Sequence, residues 1–111
     1  VMIEGDRERI LQVISNLLSN AIKFTEEGEI IVVLDHNDSE TTVSVRDSGS
    51  GIAPEIFPNL FTKFTTKSEK GTGLGLFIAK SIVESHGGKI WATNNSEGRG
   101  AIFTFILPTS T

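Results

Sequence analysis

From Arg7 to about Thr25 apolar residues recur at helical spacing, with Ile10, Ile14, Leu17, Leu18 and Ala21 on one arc. A short extended segment, Val1–Glu4, precedes this helix, followed by Gly5 and then Asp6, a good N-cap. Glu26-Glu27-Gly28 stops it. Glu29–Asp35 carries the near-continuous run Ile30-Ile31-Val32-Val33-Leu34, the pattern expected of a largely buried strand. The polar Asn37-Asp38-Ser39-Glu40 predicts a turn that includes His36 at its edge. Thr41–Arg46 then predicts an antiparallel partner, with Val43 and Val45 on one face.

The middle of the chain is patterned differently. Asp47-Ser48-Gly49-Ser50-Gly51 reads as a flexible loop, and Ala53-Pro54-Glu55 begins a short helix with proline in its first turn. Phe57, Phe61 and Phe64 follow, then a polar stretch to Thr72. A second long helix is predicted from about Leu74 to His86, closed by Gly87-Gly88. Lys89–Thr93 and Ala101–Leu107 read as strands around the glycine-bearing turn Asn94–Gly100. This order predicts an α/β (α+β) two-layer sandwich: a mixed, mostly antiparallel sheet of about five strands, covered on one face by about three helices.

Composition narrows the partners. At 111 residues, with no repeat or linker, the chain fits one domain, 1–111, read as a fragment of a longer chain. Ten basic against fourteen acidic side chains leave a net charge of −4, which argues against nucleic acid or an anionic membrane as main partner. No apolar run approaches the length of a membrane span, and the start lacks the charged-then-apolar layout of a signal peptide. The absence of cysteine excludes disulfides, thiolate metal sites and thiol catalysis.

Three groups of residues carry candidate chemistry. Asn16, Asn20 and Lys23 fall on one stripe of the first helix. That stripe is either a solvated face or a ligand face. Asparagine is a mediocre helix former, yet it occurs twice at i, i+4, and an amide oxygen is a neutral, hard donor suited to Mg²⁺. A lysine one turn away can meet a phosphate. Asp47 shares the parity of Val43 and Val45 and should therefore point to the buried face. Such a carboxylate either caps its own loop or accepts from an exocyclic amine such as that of adenine. Finally, Gly71-Thr72-Gly73-Leu74-Gly75-Leu76 opens straight into a helix, as a linker or as an anion site. It lacks the Gly-Lys-Ser/Thr of a P-loop. The long Ile52–Lys70 stretch suits a lid.

Taken in order, the motifs resemble the catalytic ATP-binding domain of sensor histidine kinases, within the GHKL superfamily. The resemblance covers essentially the whole chain: Asn16–Phe24 as the N box, Asp47-Ser48-Gly49-Ser50-Gly51 as G1, Phe57 to Phe64 as the F box, and Gly71–Leu76 as G2. Each motif alone is weak; four in this order are specific. The resemblance implies a Bergerat-type fold that binds ATP and Mg²⁺. Asn20 would be the leading metal ligand, with Asn16 beside the metal or phosphates. Lys23 would contact phosphate, so Asn16, Asn20 and Lys23 form the catalytic set. Phe24 would flank the nucleotide, Asp47 would bind the adenine amine, and Gly49, Gly51 and Ile52 would line that wall. Gly71, Thr72, Gly73, Leu74 and Gly75 would form the phosphate-side loop of the lid. Many relatives have arginine where Thr66 stands, and here Lys67 takes that part.

The activity so implied is transfer of a γ-phosphoryl group to a histidine on a separate helical-hairpin domain of the same parent, upstream of a response-regulator receiver domain. Neither His36 nor His86 is read as the acceptor. A GHKL serine kinase of the anti-sigma type, an ATP-driven clamp and a non-catalytic docking module are the alternatives. The clamp reading is weakened because hydrolytic relatives place a glutamate where Asn16 stands, and an amide cannot take a proton from water. The fragment is expected to be monomeric and cytoplasmic, to make no membrane contact of its own, and to come from a parent that is soluble or membrane-anchored.

Overall fold

The computed structural model describes residues 7–24, 28–49, 51–52, 60–62, 75–94 and 100–108, with the backbone alone at 7, 23 and 24. The expected strand Val1–Glu4, the cap Asp6, the short helix from Ala53, and Phe57 and Phe64 lie outside the described residues. The elements run α1 (Arg7–Phe24), β1 (Ile30–His36), β2 (Glu40–Asp47), α2 (Gly75–Ser85), β3 (Lys89–Asn94) and β4 (Ala101–Pro108). The four described strands form one sheet in the order β1-β2-β4-β3, and every pairing in it is antiparallel. Both helices lie on one face; α1 packs on α2 and β2, and α2 packs on β3 and β4. The two-layer architecture read from the sequence is thus present.

Strand parity sets the core. Val43 stands opposite Phe105 and Val45 opposite Phe103, and all four are buried with Leu107 and Ala101 under the helices. Val13, Leu17 and Ala21 of α1 and Ala79, Ile82 and Val83 of α2 meet them. These are the i, i+4, i+8 and i, i+3, i+4 positions of amphipathic helices. Phe61 adds an edge-to-face contact to Phe103, with centroids 6.3 Å apart and planes at 81°. On the opposite face the Ser44 and Thr104 hydroxyls lie 3.1 Å apart.

One expectation fails. The apolar run of β1 is not buried: Val32, Val33 and Leu34 are 48%, 45% and 62% exposed. Among the described strands the order puts β1 outermost with β2 as its neighbour, and the helices lean on β2, β4 and β3 instead. His36 also belongs to β1 rather than to a turn, opposite Thr41. The turn that follows is tied by Asn37, whose Oδ1 accepts from the Ser39 and Glu40 amides at 2.8 and 2.9 Å.

The glycine stop after α2 is a Schellman-type closure. The Gly88 amide donates to the Val83 carbonyl at 2.9 Å and the Gly87 amide to the Glu84 carbonyl at 3.0 Å. The chain then turns directly into β3, so α2 and β3 run in opposite directions.

Candidate functional site

Connectivity brings Asp47, Asn94 and the start of α2 to one end of the sandwich. Ile30, Asp47 and Ala101 lie near one another across the sheet, with Asn94 opposite Ala101. Because α2 returns through Gly87-Gly88 into β3, its start at Gly75 lies at the same end as Asn94; eleven residues rise roughly 16 Å. The end of α1 leads through residues 25–29 into Ile30, so Asn16, Asn20, Lys23 and Phe24 progress toward that end too.

Asp47 is the last residue of β2 and is 4% exposed. Its parity with Val43 and Val45 points it under the helices, as expected. Its Oδ1 accepts from the Gly49 amide at 2.9 Å and from the Ala101 amide at 3.3 Å. The first bond is the Asx-type turn foreseen for this residue; the second comes from β4. Both use the same oxygen, and neither involves Oδ2. Two backbone donors offset part of the cost of burying the carboxylate and fix its orientation.

Gly100 makes that geometry possible. Its φ is +108°, and a Cβ there would overlap the Asp47 carbonyl oxygen, so the backbone of β4 approaches Asp47 only because this side chain is missing.

Asn16 is half-buried, and its Nδ2 donates to the Gly75 carbonyl at 3.1 Å. The bond ties α1 to the first residue of α2 and leaves the amide oxygen of Asn16 out of that contact. Asn20 lies one turn further along and is also half-buried. Gly49 is buried, and Gly51 and Ile52 are half-buried. Lys23 and Phe24 occupy the last turn of α1. Lys67, Gly71, Thr72, Gly73 and Leu74 lie outside the described residues.

The sequence reading missed two supports of this loop. Ser48 Oγ accepts from the Glu29 amide at 2.8 Å, and the Ser48 amide donates to the Glu29 carbonyl at 3.1 Å. Asn94 was read as the start of a turn but ends β3. Its Oδ1 accepts from the Ile52 amide at 2.7 Å, and its Nδ2 donates to the Ile52 carbonyl at 2.8 Å. A polar residue at a strand end was the only sequence signal, and it resembles any turn opener.

The profile of the family described as histidine kinase-, DNA gyrase B-, and HSP90-like ATPase matches residues 5–111, and the chain belongs to that family. Its relatives within the family are sensor histidine kinases. It is 45% identical over 115 residues to the sensor protein KdpD of Clostridium acetobutylicum, covering 97% of this chain and 13% of that protein. It is 42% identical over 110 residues to the sensor protein SrrB of Staphylococcus aureus, covering 93% of this chain and 19% of that protein. The chain therefore spans less than a fifth of either relative. Among solved structures it is similar to the catalytic domain of histidine kinase ThkA in a nucleotide-free form, with a TM-score of 0.87 and 42% identity over 96% of this chain and 70% of that one. It is also similar to full-length ShkA in complex with AMPPNP, with a TM-score of 0.86 and 34% identity over 98% of this chain and 23% of that one.

Proposed function

We propose that this domain binds ATP with Mg²⁺ at the Asp47 end of the sandwich and supplies the γ-phosphoryl group to a histidine on a separate phosphoacceptor domain in two-component signalling. The observation that carries the reading is Asp47: a buried carboxylate whose Oδ1 is held by two backbone amides. Oδ2 would accept from the exocyclic amine of adenine, and the Gly49–Ile52 backbone would line the base. The AMPPNP bound by the similar ShkA supports the nucleotide class.

At the other end of the nucleotide, the donor set fits a metal that arrives with its phosphates. Among the described residues no group of three or more His, Asp or Glu is arranged to hold a metal. A neutral amide oxygen suits Mg²⁺, which keeps most of its shell for water and phosphate. Asn20 would hold the ion, with Asn16 beside it. When bound, the ion neutralises phosphate charge. Lys23 would contribute a point charge to phosphate, and Asn16 would keep α1 against the start of α2. Phosphoryl transfer of this kind depends on positioning and charge neutralisation, so it does not demand a strong general base from this domain. The acceptor histidine lies on the partner domain, and a receiver domain acts after it.

Calorimetric titration with a non-hydrolysable ATP analogue, with and without Mg²⁺, tests the binding. Wild type should bind, and Asp47→Asn should lose on the order of 10²-fold in affinity, since it replaces an acceptor oxygen by a donor facing the amine. Failure of wild type to bind would refute the nucleotide reading. Mixing the domain with candidate helical hairpins and ATP should leave an acid-labile phosphoryl group on the hairpin. An acid-stable product would point to serine instead.

A further inference from the structure

Asn94 stands where the β3–β4 ladder ends, opposite Ala101. Beyond that rung its side chain continues the pairing. A carboxamide has the same donor and acceptor as a peptide group, and here it meets both polar groups of one residue, the Ile52 amide at 2.7 Å and the Ile52 carbonyl at 2.8 Å. Ile52 is thereby held as a single added rung at the sheet edge, across 42 residues of sequence. The neighbouring Gly51 sits at φ +81°, where a Cβ would come within 3.1 Å of Asn94 Oδ1 and 3.5 Å of the Gly100 carbonyl oxygen. The loop from Asp47 to Ile52 is thus secured at three places. Ser48 holds the side toward β1, Ala101 holds Asp47 itself, and Asn94 holds the far end.

Asn94 is solvent-exposed, so this pair of hydrogen bonds does not serve to satisfy a buried amide. Exposed hydrogen bonds add little to global stability, because water replaces them readily. Their effect is local. They restrict a segment with two flexible glycines to one path, and that lowers the ordering cost of any ligand resting against it.

We infer that Asn94 is a positioning residue for the purine end of the site: by clasping the Ile52 backbone it sets the wall against which the base lies, and so contributes to selection of adenine over guanine. The inference rests on the nucleotide reading above. The side-chain hydrogen bonds of Asn94 go to the Ile52 backbone and not to the Asp47 carboxylate, so its effect should depend on the base.

The test compares three ligands on the 111-residue chain by calorimetry: a non-hydrolysable ATP analogue, its guanine counterpart, and inorganic tripolyphosphate, each with Mg²⁺. Asn94→Leu, of similar size but without polar atoms, should weaken the ATP analogue about tenfold. It should also narrow the adenine-to-guanine preference and leave tripolyphosphate affinity unchanged. Asn94→Asp keeps the acceptor for the Ile52 amide but loses the donor, and should fall between Asn94→Leu and wild type. Equal weakening of ATP analogue and tripolyphosphate would reduce Asn94 to a structural role and overturn the inference. Unchanged ATP-analogue binding in Asn94→Leu would overturn it as well, while leaving the nucleotide reading intact. Wild type that binds no nucleotide would bring down both.

Discussion

Asp47 and Thr41 sit on the same strand and the same face, and both are buried, at 4% and 1% exposure. Their polar atoms fare differently. Asp47 Oδ1 receives two backbone amides, whereas the Thr41 hydroxyl is buried without a hydrogen-bond partner among the described residues. A lone buried hydroxyl costs roughly 1–3 kcal/mol, so Thr41→Val, which keeps the shape, should raise unfolding stability by about 1 kcal/mol, read from urea denaturation. Gly100→Ala should act in the other direction. The added Cβ meets the Asp47 carbonyl and the residue cannot relax from φ +108°, so a loss of about 2–3 kcal/mol and an impaired nucleotide site are expected together. At this scale the sequence was informative about Asp47, because a period of two fixes the direction of a side chain within a strand. It was silent on Asn94 and Gly100, whose partners lie more than forty residues away.

The helices followed their pattern closely, since a 3.6-residue period reports which arc meets the core. Leu17 is fully buried while Leu11, six residues earlier on the same helix, is 54% exposed. Leu17→Ala should therefore cost about 2–5 kcal/mol, and Leu11→Ala within about 0.5 kcal/mol, measured as the difference in unfolding free energy. Strand β1 was misread for a physical reason. Continuous apolar residues signal burial on both faces only when other layers cover both faces of the strand, and what covers a strand depends on tertiary packing, which no local window contains. The exposure of Val33, 45%, predicts tolerance: Val33→Lys should change stability by about 0.5 kcal/mol or less. It should also lower the tendency to associate at high concentration, seen by light scattering, because a charge interrupts the exposed apolar run Ile31–Leu34.

For the whole molecule, the pairing of helices with one sheet face and the strand spacing were legible in the sequence. Amphipathic periods and glycine stops encode them directly. The fastening of the site was not, because it consists of backbone contacts between segments far apart in the chain. The sheet order has one more consequence. β4, the last of the described strands, lies between β2 and β3. Ribosomal synthesis delivers this piece after the other described strands have emerged, so the β1–β2 hairpin forms before its neighbour exists. The β2–β4 ladder then has to close between residues at least 56 apart in sequence, Arg46 with Ile102 being the nearest pair, and non-local pairing of this kind slows folding.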